Sequence, residues 1–156
     1  MASFFGLVDL TKNLSYYTVP VALAAAMLPH VVAVTGSKGV FDNANPRTLK
    51  ENLEKTDALD KETKQRIARA KAASDNGFET IGLYAAAVVA ANVTGVDTAL
   101  LNRLTIGYVV SRFAFVFVYV QLGSNRKTAP VRSLTWMAGI ASIVTLFIKA
   151  GNKVAI

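Results

Sequence analysis

The sequence predicts an all-α membrane protein: a bundle of four transmembrane helices with a helical, water-exposed loop between the first and the second. Three observations carry this expectation. Of the 156 residues 53% are hydrophobic and the mean hydropathy is +0.38, more than a soluble domain of this length usually carries. The apolar residues are gathered into four blocks, at residues 14–35, 78–93, 99–122 and 134–148. Each block is near the length that crosses about 30 Å of hydrocarbon, the second and fourth with help from flanking residues. The expected spans are therefore 14–35, 74–95, 98–122 and 132–150, all within one domain covering residues 1–156. The third observation is the placement of charge. Lys38, Arg47, Lys50, Lys55, Lys61, Lys64, Arg66, Arg69, Lys71, Arg126, Lys127 and Arg132 fall on one side of such a bundle, and only Lys12, Arg103, Lys149 and Lys153 on the other. The positive-inside rule then puts loops one and three in the cytosol and both termini on the lumenal or outer side.

The elements follow in order. Residues 1–10 lack a basic leader region, so the first block is expected to be a retained helix and not a cleaved signal. Pro20 and Pro29 lie inside it and each frees a backbone carbonyl, so a bend is expected. Thr35-Gly36-Ser37-Lys38-Gly39 ends the helix without the spacing of a phosphate-binding loop. In the first loop Asn45 can cap a short helix with Pro46 in its first turn, supported by a Glu51–Lys55 pair. Asp60 can cap a second helix that passes Arg66 and Arg69 and enters the membrane block without a break. At about 100° per residue Arg69, Asn76 and Glu79 fall within about 80° of one another, and Arg66 lies about 60° beyond Arg69.

On the third block Arg112, Phe115 and Tyr119 share a side. Arg112 is the most deeply placed charge, and Glu79 is its expected carboxylate partner, as an interhelical ion pair or as part of a site. The loop at residues 124–131 brings Arg126, Lys127 and Arg132 level with the polar end of helix two. Unpaired polar groups are costly near hydrocarbon, so this convergence reads as a site for a small zwitterionic or anionic ligand at the membrane surface.

Several chemistries are set aside. The chain contains no cysteine, so it supplies no disulfide, thiolate ligand or cysteine nucleophile, and any thiol must belong to a substrate. The single histidine, His30, sits at the end of an apolar helix and is expected to be packed or interfacial, which argues against a histidine triad or a multi-histidine metal site. The net charge of +7 is offset in the first loop by Asp42, Glu51, Glu54, Asp57, Asp60 and Glu62, a mixed-charge surface that argues against nucleic acid. Asn13-Leu-Ser and Asn92-Val-Thr are glycosylation sequons that fall on the lumenal side, too near the bilayer to be used. Gly77, Gly82, Gly107 and Gly139 are expected to allow close helix packing.

Arg66-x-x-Arg69, then Asn76-x-x-Glu79 opening an apolar helix, then Arg112 followed seven residues later by Tyr119, then Arg132-Ser-Leu-Thr-Trp136, form an ordered combination. It resembles the MAPEG family, the membrane-associated proteins in eicosanoid and glutathione metabolism. Asn43-Ala-Asn-Pro-Arg47 is similar to the family's microsomal glutathione transferases, and the resemblance runs over about residues 14–150. It implies a homotrimer with glutathione held at the cytosolic ends of helices from adjacent subunits. By position, Arg66, Arg69, Asn76, Glu79, Arg112 and Tyr119 correspond to glutathione-binding residues. The thiol-activating arginine corresponds to Arg126 by its interval from the tyrosine and to Arg132 by its local context. The chain departs from the pattern at Ala72, where most members carry an arginine, and has Lys71 beside it.

The function implied is that of an endoplasmic reticulum or other endomembrane glutathione transferase. It would conjugate glutathione, as co-substrate, to lipophilic electrophiles drawn from the bilayer, and could extend to peroxidase action on lipid hydroperoxides. A second expectation, favoured by Ala72, is a non-catalytic member that binds a lipid or a partner protein. A third is a small transporter or structural protein in which Arg112 and Glu79 serve only as a pair.

Overall fold

Alternating small residues on facing helices set the packing. The structure, a computed structural model, describes residues 9–155 and is all-α over them. The helices are α1 (Ser15–Gly36), α2 (Leu49–Lys55), α3 (Lys61–Val93), α4 (Thr98–Gln121) and α5 (Ala129–Val154), with 3₁₀ turns at Pro46–Thr48 and Arg126–Thr128. The four long helices form the bundle, with α1 packed chiefly on α3 and α4 chiefly on α5.

On α1, Ala22, Ala25, Ala26 and Ala33 are buried, and facing them on α3 are Ala70, Ala73, Ser74 and Gly77. Lacking side-chain bulk, the two backbones come close enough for Ser74 Oγ to donate to the Ala26 carbonyl at 2.8 Å. A side chain at Gly77 would begin 2.6 Å from Ala26 Cβ, and one at Gly139 would begin 2.7 Å from Arg112 Nη2, so both glycines are needed for close approach. At Gly82 and Gly107 nothing lies within 4 Å of where a side chain would begin, so the packing role expected of them is not found within this chain.

α1 runs as one helix through both prolines, and Lys38 and Gly39, at φ of 49° and 87°, turn the chain out of it. In the loop the expected Asn45 cap is absent: its side chain donates to Asp42 Oδ2 instead, and Pro46 starts a 3₁₀ turn that leads into α2. The Glu51–Lys55 pair is present, as is the Asp60 cap, whose carboxylate accepts from the Thr63 amide at 2.9 Å. These contacts hold Asp60 below the usual carboxylate range, the Thr63 hydroxyl acting more strongly than its amide. Leu49 and Leu53 pin α2 onto Ile67, Ala70 and Ala73 of α3. α3 is 33 residues long; its first turns project into solvent, and from Ile67 onward one face is buried against α2 and the bundle.

Three segments are long and apolar enough to cross a membrane: α1, α4 and Arg126–Val154. α3 falls short of that composition because its charged beginning runs without interruption into a largely apolar stretch of only sixteen residues, 78–93, which itself holds Glu79 and Asn92.

At the end of the bundle away from α2, Asn13 Nδ2 donates to Asn92 Oδ1 at 2.6 Å, so the two sequon side chains bond to each other. Asn102 accepts from the Leu14 amide and donates to the Leu10 and Lys12 carbonyls, tying the segment before α1 onto α4. His30 packs edge-on against Phe41, with centroids 6.0 Å apart.

Replacing Gly77 with valine is expected to cost about 1–3 kcal/mol by overpacking against the Ala26 backbone. Ser74→Ala is expected to cost about 1 kcal/mol for the lost hydrogen bond. Thermal midpoints in detergent check both, and an unchanged midpoint for Gly77→Val contradicts the close α1–α3 approach.

Candidate functional site

A cavity of about 620 Å³ opens between α3, α4 and α5 at the end of the bundle where α3 emerges, a volume ordinary for a small-molecule site. Its walls differ in character. α3 contributes Asp75, Asn76 and Glu79, each one turn or less from the next, with Ala72 above them. α4 contributes Phe115 and Tyr119, and α5 contributes Arg132, Ser133, Trp136 and Met137. An anionic wall thus faces a cationic and aromatic one.

Arg132 lies in the first turn of α5. Its position is set by the 3₁₀ turn before it, where Asn125 accepts from the Lys127 amide and Thr128 Oγ1 donates to the Leu122 carbonyl at 2.9 Å. Its guanidinium lies 4.6 Å from the Tyr119 ring centroid, a cation–π contact that holds the head group over the cavity. The amino end of α5 adds its partial positive charge on the same side.

Arg112 lies beneath the cavity, outside its lining, and supports it through Asn76. Only 4% of it is exposed, and it lies between the rings of Tyr108 and Phe115, with centroids at 5.6 and 5.2 Å. Nη2 donates to the carbonyls of Thr135 and Trp136, both at 3.1 Å, and Nη1 donates to Asn76 Oδ1 at 3.4 Å. The expected Arg112–Glu79 pair is therefore not formed. The guanidinium is drawn past α3 to two helix carbonyls of α5, which the missing side chain of Gly139 leaves open, and Asn76 takes its remaining reach. Glu79 is exposed in the cavity wall and has no ion-pair partner among the described residues.

The other expected residues lie apart. Arg69 donates through Nη2 to the Val120 carbonyl at 3.4 Å, where a cation suits the carboxyl end of α4. A side chain at Gly123 would begin 2.6 Å from Arg69 Cδ, so that glycine makes the room. Arg66 is exposed near the solvated end of α3, and Arg126 is exposed in the 3₁₀ turn. Neither lines the cavity. Lys71, adjacent to Ala72, pairs with Asp75 one turn along α3 and so does not replace the missing arginine in the cavity.

Of the eight expected site residues, Asn76, Glu79, Tyr119 and Arg132 meet in one cavity, and Arg112 supports it from below. Asp75, Ser133, Trp136 and Met137 were not anticipated as lining. Their signal was helical spacing: 132, 133, 136 and 137 form one face of α5, as 72, 75, 76 and 79 do of α3.

Removing the guanidinium by Arg112→Met is expected to destabilise the bundle by about 3 kcal/mol, through three lost charge-assisted hydrogen bonds. Lysine, a point charge, is expected to restore only part of this. Unfolding midpoints of both variants in detergent check it, and wild-type stability in Arg112→Met contradicts the supporting role.

The family model described as MAPEG family matches residues 14–152, nearly the whole chain. No curated protein and no solved structure matches the chain significantly.

Proposed function

Because the chain belongs to the MAPEG family, we propose that this integral membrane protein is a glutathione transferase acting on lipophilic electrophiles. The observation that carries the reading is the cavity's opposed polarity: Arg132 and Tyr119 on one wall, Glu79 and Asn76 on the other. Glutathione bears an ammonium, two carboxylates and a thiol. Its ammonium suits Glu79, and a carboxylate or the sulfur suits Arg132.

Arg132 is the residue we assign to thiol activation, in preference to Arg126, because it is the arginine in the cavity wall. A guanidinium beside the sulfur favours thiolate over thiol, with the proton passing to water. The thiolate then attacks the electrophilic carbon, forming an S–C bond as the leaving group departs with the bonding pair, or, with an activated double bond, as the π pair shifts onto the acceptor and takes a proton from water. With a lipid hydroperoxide the thiolate instead takes the terminal oxygen, giving an alcohol and a sulfenate that a second glutathione resolves to disulfide. Phe115, Trp136 and Met137 make an apolar side for the lipophilic partner, which the bilayer concentrates.

The proposal includes a homotrimer. Within one chain the cavity holds a single arginine, so a second carboxylate of the tripeptide needs cations from elsewhere. Arg66, Arg69 and Arg126, at the same end of the bundle, are the candidates from an adjacent copy. It also includes four crossings, with the second half of α3 crossing inside the bundle, both termini lumenal, and residence in the endoplasmic reticulum or another endomembrane.

A second reading is favoured by Ala72 and Asp75, which leave the α3 wall anionic and short of a cation. It makes the chain a non-catalytic member that holds a lipid or a partner protein.

The test is ultraviolet difference absorbance of the detergent-purified protein titrated with glutathione. A bound-thiolate signal is expected in the wild type, abolished in Arg132→Ala and retained in Arg126→Ala. Loss in Arg126→Ala alone reassigns the activator. No signal from a folded wild-type oligomer supports the non-catalytic reading.

A further inference from the structure

Two more cavities lie in series with the first along one face of α3. One, of about 320 Å³, lies between α2 and the far, solvated end of α3; the next, of about 290 Å³, lies closer to the bundle. These two share Lys50, Leu53 and Ala68, and the second shares Ala72 and Asp75 with the 620 Å³ cavity. The α3 residues that line the three in turn are 61, 64, 65, 68, 71, 72, 75, 76 and 79. That is a single helical stripe, so the three adjoining cavities lie end to end along it as a trough.

The trough is basic. Arg47, Lys50, Lys61 and Lys64 line it, and among the described residues none of them has an ion-pair partner. Glu54 is the one carboxylate in its outer part. Where the trough meets the large cavity, Lys71 pairs with Asp75, which neutralises a carboxylate that would otherwise repel an arriving anion. Leu49 and Leu53 form a floor that keeps α2 docked, so the basic side chains are carried on ordered helix.

We propose that this trough captures small, water-soluble anions and steers them into the cavity. α1 ends at Gly36 beside Ile67, and α4 ends beside Arg69, so Lys61 and Lys64 lie on the part of α3 that extends past both neighbouring spans. Clefts lined by one sign of charge raise the encounter rate of the opposite sign, and the effect collapses with salt. The inference concerns how an anion arrives. It does not require that the anion be glutathione.

The absence of native cysteine makes a clean test possible. Ser133→Cys places a single thiol in the cavity wall, and its modification rate is measured in nonionic detergent with anionic sulfonatoethyl methanethiosulfonate and with neutral methyl methanethiosulfonate. The anionic-to-neutral rate ratio is compared with the trough intact and with Lys50→Gln, Lys61→Gln and Lys64→Gln combined. At low ionic strength the ratio is expected to fall about 3–10-fold in the triple variant, and in about 1 M salt the two proteins are expected to converge. Lys149→Gln with Lys153→Gln, at the opposite end of the chain's bundle, is expected to leave the ratio unchanged. The neutral reagent reports that the cavity remains folded and open. An unchanged ratio in the triple variant, or an equal fall in the Lys149/Lys153 variant, overturns the proposal.

Discussion

The arrangement depends on one buried guanidinium. Arg112 lies between two hydrophobic clusters, one built around Tyr84, Tyr108 and Leu146 and the other around Ile67, Phe115 and Val120. A charge at that level is costly unless its donors are used. Its two terminal nitrogens bond to the Thr135 and Trp136 carbonyls and to Asn76, while Nε stays buried without a partner, and these bonds fix α3, α4 and α5 to one another at the height where the cavity begins. The absence of a side chain at Gly139 is what admits it. The tyrosine rings beneath add a second constraint. Tyr84 and Tyr108 stack with centroids 3.7 Å apart, and their hydroxyls bond to Thr18 and Thr80 on neighbouring helices.

From that support the chemistry of the walls follows. With Asn76 held by Arg112, Glu79 is left free in the α3 wall, and Arg132 is free to rest on Tyr119 in place of a carboxylate. A cation held by a ring and not by an anion keeps its charge available to a ligand. The α3 helix continues into solvent as a basic stripe, so the route from water to the cavity carries the opposite sign from the anion it would admit.

Much of this was legible in the residues themselves. Apolar block lengths located α1, α4 and α5, Asp60 announced the start of α3, and the Arg112–Phe115–Tyr119 spacing placed one side of α4 toward the site. What failed to read through was partner choice. A carboxylate on the neighbouring helix makes Glu79 the expected partner of Arg112, but the sequence does not show that helix carbonyls can accept from an arginine where Gly139 opens the way. Arg69 shares the angle of Asn76 and Glu79, yet its length carries its guanidinium to the Val120 carbonyl at the end of α4 and out of this chain's cavity. Asn45 lost its cap to Asp42, a nearer partner for its amide, and Gly82 and Gly107 look small for packing yet meet nothing within the chain. Each miss turns on a competition between possible partners that only three-dimensional proximity resolves.

The account is tested most directly by an experimental structure of the full chain in nanodiscs with glutathione. It predicts the tripeptide in the cavity between α3 and α5, the sulfur beside Arg132, the ammonium toward Glu79, and Arg112 still bonded to the Thr135 and Trp136 carbonyls. A cavity without the tripeptide, or an Arg112 that has left those carbonyls to pair with Glu79, would contradict it.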